Sequence, residues 1–161
     1  YTIDTNSNYL KMNNIICSTI IALALIALTV EAAVFKDCGS SQGAIQGVDI
    51  IPCNENPCIL HRGKNATIVI KFTPKEEVTA GKSVVKGILA GIPVPFSIPQ
   101  PDLCAGIEKG CPLASGTEYT YSASLPILSQ YPSLRVTVQW QLLDSNSNII
   151  VCMRTPVSIG N

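Results

Sequence analysis

Between residues 134 and 142 apolar and polar positions alternate without a break: Leu134, Val136, Val138, Trp140 and Leu142 against Arg135, Thr137, Gln139 and Gln141. A period of two sustained over that length predicts a strand with one face in a core and the other in water. The stretch from Glu118 to Leu125 alternates in the same way, with Tyr119, Tyr121, Ala123 and Leu125 on one side. Ile68, Ile70 and Phe72 do so against Thr67, Val69 and Lys71. Further strand-like runs cover Ile45 to Ile51, Ser83 to Leu89 and Asn148 to Arg154, with Val157 to Ile159 as a short separate tail. No segment beyond residue 32 repeats with the 3.6-residue period of a capped helix. Short strands separated by Gly, Pro and Asn turns in a chain of this size predict an all-β, two-sheet sandwich.

One segment does not alternate. Residues 87–99 (Gly87-Ile88-Leu89-Ala90-Gly91-Ile92-Pro93-Val94-Pro95-Phe96-Ser97-Ile98-Pro99) are almost wholly apolar and contain three prolines. Proline cannot donate to a ladder and is confined to edges, strand starts and bulges, so part of this segment is expected along an edge or loop. An apolar edge is either covered or placed to touch something apolar. The pattern leaves open both a contact edge and an ordinary core strand ending in a proline turn.

The start of the chain reads differently. The first Met is Met12, and from there an apolar run centred on Ile20 to Leu28 leads into Val30-Glu31-Ala32. A short apolar stretch followed by small residues is the pattern of a cleaved secretory signal, with cleavage placed after Ala32. The stretch is shorter than the ~20 residues a membrane-spanning helix needs. Residues 1–32 are therefore set aside as upstream sequence plus signal, and residues 33–161 are taken as one domain, with a secreted, extracellular or lysosomal destination. Removing Lys11, Asp4 and Glu31 from the eleven residues of each sign leaves ten basic against nine acidic ones. Near-neutral charge with no basic stripe argues against a nucleic-acid partner and against electrostatic recruitment to anionic membranes.

Seven cysteines become six once Cys17 leaves with the signal. An even number in a small secreted domain reads as a disulfide framework, and six cysteines allow 15 connectivities. Spacing favours two local loops, Cys53 with Cys58 and Cys104 with Cys111, and a long-range pair, Cys38 with Cys152. With one histidine, His61, and no C-x-x-C spacing, no metal site is expected.

Catalytic patterns are sparse. Gly39-Ser40-Ser41-Gln42-Gly43 matches G-x-S-x-G, with Asp49 and His61 following in order. That motif needs a buried strand before it and a helix after it, and neither fits here. His61 is expected in a solvated turn, since no cysteine is left unpaired to serve as its nucleophile. No catalytic residue, enzyme activity or cofactor is expected. Asn65-Ala66-Thr67 is an N-glycosylation sequon, which places Asn65 at the surface.

The sequence resembles the Niemann-Pick type C-2 protein family of the MD-2-related lipid-recognition (ML) domains. The resemblance is carried by Phe35-Lys36-Asp37-Cys38-Gly39-Ser40, Pro52-Cys53, Pro57-Cys58, the run from Val85 through Pro93-Val94-Pro95-Phe96, Pro101-Asp102, Leu125-Pro126, Tyr131-Pro132-Ser133, Trp140-Gln141-Leu142 and Cys152. It implies an immunoglobulin-like sandwich of about seven strands, the three cysteine pairs just named, and an expandable apolar pocket between the sheets. Its lining maps onto Phe96, Ile127 and Tyr131, with Trp140 nearby and Val94 and Met153 beside it. Ile88, Leu89, Ala90, Gly91 and Ile92 would form a rim for membrane or acceptor contact. The implied function is that of a monomeric carrier of a sterol such as cholesterol, handing it to membranes or to a Niemann-Pick type C-1-like receptor. Met153 stands where vertebrate sterol carriers have a second tryptophan, and Ile127 where they have a smaller side chain. These departures keep two alternatives in view: a carrier of fatty acids or semiochemical-type lipids, as in arthropod relatives, and a lipid-dependent innate-immune recognition module.

Overall fold

The structure is a computed structural model that describes residues 34–161. The expected signal sequence, its cleavage after Ala32 and Cys17 lie outside the described residues. Nine strands follow in order: β1 Lys36–Asp37, β2 Gly43–Ile51, β3 Cys58–His61, β4 Asn65–Pro74, β5 Gly81–Leu89, β6 Ile92–Phe96, β7 Tyr119–Pro126, β8 Leu134–Asp144 and β9 Ile149–Gly160. One sheet has the order β1-β9-β8-β5-β6, with β3 also paired to β9, and the other has the order β2-β4-β7. Among the described residues the count is nine rather than about seven, and three of the nine, β1, β3 and β6, are short strands at the edges of the larger sheet.

The alternating runs become the strands that face across the sandwich. Ile68, Ile70 and Phe72 of β4 and Tyr121 and Leu125 of β7 turn inward from the smaller sheet, and Trp140 and Leu142 of β8 from the larger. The outer face of β8 is less wet than its pattern predicts, with Gln139 only 8 % exposed. β8 lies between β9 and β5, so neighbouring side chains cover it, and Arg154 Nε on β9 donates to Gln139 Oε1 at 2.9 Å. Val157 to Ile159 is not a separate tail. β9 runs on through Pro156, which falls between the stretches paired outward with β1 (to Arg154) and with β3 (from Val157). A missing ladder donor is tolerated at such a break. His61 is not in a turn either, being the exposed last residue of β3.

Residues 97–118 close one end of the sandwich. They deliver Leu103, Ile107 and Leu113 into the core, where all three are buried. Backbone bonds hold them there: Leu103 N–H to Gly81 O, Ser83 N–H to Pro101 O, and reciprocal bonds between Val78 and Leu113. Gly106 lies so close to the Tyr121 ring that a Cβ there would overlap the ring, which requires glycine. The Tyr121 hydroxyl is bonded to Ser83 Oγ at 2.6 Å. Burial pushes its pKa up, partly offset by that bond, so it stays a neutral phenol.

The G-x-S-x-G segment serves the turn between β1 and β2. Ser40 Oγ accepts from Cys152 N–H at 2.9 Å, and Ser41 Oγ donates to the Ile149 carbonyl at 2.8 Å. His61 pairs with Gly160, eight residues further along β9 than Cys152, so serine and histidine stand roughly 25 Å apart at ~3.3 Å per residue. Asp37 accepts from Gly39 N–H at 2.7 Å and Ser40 N–H at 2.9 Å. The Ser40 and then the Gly39 bond hold its carboxyl below the usual range. At Asp144, burial works upward but is outweighed by bonds from the Asn148 side chain and from the Asn148 and Asn146 N–H groups, and its pKa is also lowered. Among the described residues no helix is long and apolar enough to cross a membrane, and no group of three or more His, Cys, Asp or Glu could hold a metal.

The three bridges join Cys38 to Cys152, Cys53 to Cys58 and Cys104 to Cys111. Their loops differ greatly, with separations of 114, 5 and 7 residues. In the chain-entropy account, the first restricts the unfolded chain by about 5 kcal/mol and the second by about 2 kcal/mol. Replacing Cys38 and Cys152 with alanine is therefore expected to lower the denaturant-derived stability about 3 kcal/mol more than replacing Cys53 and Cys58. Equal losses would contradict that account. A second expectation concerns acid. Both carboxylates have folded-state pKa values below 3.8, so the stability they contribute is fully present above 3.8 and lost as pH falls through the folded values. A double variant, Asp37→Asn with Asp144→Asn, should melt below wild type at neutral pH. The gap should close only at pH values under 3.8.

Candidate functional site

The interior is filled unevenly along the strands. At the end closed by residues 97–118, Trp140, Tyr121, Phe72, Ile70, Leu142 and Met153 form one buried cluster, with the Tyr121 and Trp140 ring centroids 6.2 Å apart. At the other end a second cluster gathers Ile50, Leu60, Ala66, Leu125, Ile127 and Val157. Several of the residues facing that space are short, Val85 and Gly87 on β5, Val94 on β6, Val136 and Val138 on β8, among longer ones such as Leu60, Leu125 and Leu134. Gly87 contributes no side chain at all. What remains is a cavity of about 190 Å³, open to solvent and walled by aliphatic and aromatic groups. Lys86 is the one charged residue in its lining.

Two walls flank the opening. One is the β5–β6 hairpin, in which Leu89 pairs with Ile92 across a two-residue turn. Ala90 and Gly91 both take positive φ, 48° and 86°, as the tightest hairpin turns require. The prolines predicted for an edge are there: β6 is the edge strand, with Pro93 opposite Ile88 and Pro95 opposite Lys86. The other wall is residues 127–133 between β7 and β8, which carry Ile127 and Tyr131. Phe96 and Tyr131 meet edge to face across the opening, centroids 5.5 Å apart at 67°. Ile92, Val94 and Leu128 stand on these two walls with 67 %, 45 % and 38 % of their surface exposed, three of the five exposed large apolar side chains among the described residues, Val34 and Ile51 being the others.

Of the residues singled out from the sequence, Phe96, Val94, Ile127, Tyr131 and Leu89 come together around this cavity. Ile88, Ala90, Gly91 and Ile92 belong to the hairpin beside it. Trp140 does not line it. It borders a smaller inner void of about 30 Å³ that shares Leu60, Leu125 and Val138 with the outer cavity. The Trp140 Nε1–H is buried without an acceptor among the described residues. Met153 lines neither space: it pairs with Trp140 across β8 and β9 and is wholly packed in the filled cluster. A position just after the last cysteine reads as pocket only if the inner void extends to it, and here side chains close it off.

Sequence reasoning assigned no cavity role to Leu60 and Ile159, which line the cavity, or to Leu128 beside it, and Leu134 was marked only as inward-facing by alternation. Leu60 lies on β3, a four-residue strand paired in parallel at the sheet margin, too short to show a period. Leu125, Val136 and Val138 were marked as inward-facing by alternation, but nothing in a period of two tells a cavity wall from a filled core. A second pocket of about 340 Å³ beside β3, bounded by Pro52, Ile59, His61 and Lys64, shares Leu60 with the cavity, and exposed Asn65 lines it.

The sequence matches the family described as ML domain over residues 32–159. The Danio rerio protein named NPC intracellular cholesterol transporter 2 is 41% identical over 144 residues, covering 88% of this chain and 95% of its own. The Drosophila melanogaster protein named NPC intracellular cholesterol transporter 2 homolog a is 38% identical over 142 residues, 87% of this chain and 96% of its own. Among solved structures, a Niemann-Pick type C2 protein from Japanese carpenter ant superposes with a TM-score of 0.73 at 28% identity, covering 79% of this chain and 99% of that one. Chicken MD-1 complexed with lipid IVa shares the fold at a TM-score of 0.53 and 16% identity, over 76% of this chain and 86% of its own. With the domain matched from end to end and the identities sustained over most of both chains, this protein belongs to the ML domain family, in its Niemann-Pick type C2 branch.

Proposed function

We propose that the protein binds a sterol in the cavity between its sheets and carries it through water to a membrane or an acceptor protein. The observation that carries this is the cavity itself: a slot lined by Phe96, Ile127, Tyr131 and short aliphatic side chains, opening between two apolar walls. The names of the relatives at about 40% identity support it. Binding requires no catalytic group. Burying roughly 400 Å² of apolar ligand at ~25 cal/mol/Å² contributes on the order of 10 kcal/mol before ordering costs.

The cavity's 190 Å³ is below the ~300–1,000 Å³ of pockets that enclose drug-sized ligands. A ring system therefore has to spread the walls, and displacing Leu60, Leu125 and Val138 would join the outer cavity to the inner void. The same narrowness favours a second reading, in which the cargo is a linear fatty chain that fits with less displacement. Transfer is assigned to the exposed apolar side chains of the rim, Ile92 foremost, touching a bilayer or a receptor of the Niemann-Pick type C-1 kind. The chain is read as a secreted monomer, with Asn65 glycosylated on its exposed strand start and the lysosomal lumen as a further destination.

Two experiments test this. Ile127→Phe adds bulk where space exists, so it should abolish binding of a fluorescent sterol at a stability cost at or below the low end of the ~1–3 kcal/mol of overpacking a filled core. Phe96→Ala should weaken binding by about tenfold or more through lost contact area. Unchanged binding in both variants would place the ligand elsewhere, and a fluorescent fatty acid bound without any sterol affinity would select the second reading. Separately, Ile92→Asp should slow sterol transfer to liposomes while leaving equilibrium affinity close to wild type. An equal fall in affinity would make the hairpin part of the pocket rather than a transfer surface.

A further inference from the structure

The two cavity walls are held by unlike means. The hairpin wall is part of a sheet, its ladder running from Val85–Phe96 to Leu89–Ile92. The wall at residues 127–133 lies between β7 and β8 and belongs to neither sheet. Its first residue is fixed through backbone: Ile127 N–H donates to Lys64 O at 2.9 Å, and Gly63 N–H donates to Ile127 O at 2.6 Å. Beyond Ile127 the chain bonds to itself, Tyr131 N–H donating to Leu128 O at 3.1 Å. Among the described residues, one group from outside this stretch then reaches it by hydrogen bond: Arg62 Nη1 donates to the Tyr131 carbonyl at 3.4 Å.

Arg62 is itself anchored from the opposite side. Its Nε donates to Asn161 Oδ1 at 3.0 Å, and its Nη2 donates to the same oxygen. Its backbone N–H donates to the Gly160 carbonyl at 2.9 Å. One guanidinium thus spans from the end of β9 to the main chain of Tyr131, whose ring meets Phe96 across the cavity opening.

We infer that Arg62 is a positioning residue for the cavity: it fastens the Tyr131 main chain and so sets how far the Tyr131 ring stands from Phe96 and how fast a lipid passes between them. The inference rests on the proposed reading of the cavity as the lipid site. A single long bond in a half-exposed setting is worth little net, which suits a fastening that must release. Release lets Leu128 to Tyr131 swing outward while the two backbone bonds keep Ile127 in the wall. Lysine has no planar fork with which to hold Asn161 and reach Tyr131 together.

The test compares wild type with Arg62→Ala, Arg62→Lys and Asn161→Ala by hydrogen exchange on the ligand-free protein and by stopped-flow release of a fluorescent sterol and a fluorescent fatty acid. Arg62→Ala should raise exchange across residues 128–133 by about threefold, with β8 and β4 unchanged and the melting temperature nearly so. It should speed both uptake and release, leaving equilibrium affinity less affected than either rate. Asn161→Ala and Arg62→Lys should fall between Arg62→Ala and wild type. Unchanged exchange at 128–133 in Arg62→Ala would overturn the fastening, and exchange raised equally over β3, β4 and β8 would reduce Arg62 to a general structural role. A wild-type protein that takes up neither probe overturns the lipid reading and the rate claim with it. The exchange arm needs no ligand and decides the fastening by itself.

Discussion

Two sheets that share one interior must be held at a separation that their inward side chains can fill. Here that separation is set at one end by Trp140, Tyr121, Phe72 and Met153, all without measurable exposure or nearly so. Packed sheets lie ~10 Å apart and resist local collapse, because each strand is tied to its neighbours along its whole length. Where β8 carries Val136 and Val138 instead, and neighbouring β5 carries Gly87, the separation persists and these side chains fall short of it. The cavity is thus a consequence of unequal side-chain size along continuous strands. No special element is needed to build it.

This arrangement divides the work between the two ends. The filled end takes up the long 97–118 connection, the Cys104–Cys111 bridge and the close approach of Gly106 to Tyr121, so it has little freedom to open. The open end has a hairpin on one side and residues 127–133 on the other, joined across the gap by the contact between two aromatic rings. Any widening to admit a ligand is therefore directed to the end where the exposed apolar residues stand. The buried Trp140 indole lies at the boundary between the two regimes, and it contributes a large apolar surface to the filled cluster.

Much of this was legible in the sequence. Period-two alternation located β4, β7 and β8 and their inward faces, because those strands have one face in the core, whereas the prolines of 87–99 pointed to an edge or loop without separating it from a core strand. The cysteine separations by themselves favoured the pairing found in the structure. Strands too short for a period, β1 and β3, escaped, and with β3 went Leu60, which borders both the cavity and the inner void. Trp140 and Met153 were associated with the pocket through the family resemblance, and sequence does not register how far along a strand the interior stops being filled. Arg62 carried no signal, since its role depends on Gly160, Asn161 and Tyr131 meeting in space from distant parts of the chain.

The placement of Pro93 and Pro95 has a consequence for how such a surface survives in solution. The two are alternate residues on β6, so the donors that pair β6 with β5 come from Ile92, Val94 and Phe96, and the outward side of the strand offers carbonyls with no N–H at the proline positions. A bare, greasy sheet margin is ordinarily a template on which a second copy of the chain can add its own strand, the first step toward polymers. Stripped of donors, this margin presents apolar side chains to a passing partner and denies it a backbone ladder. Contact at the rim can then be frequent and still reversible, and the protein can be sticky without self-assembling at this edge.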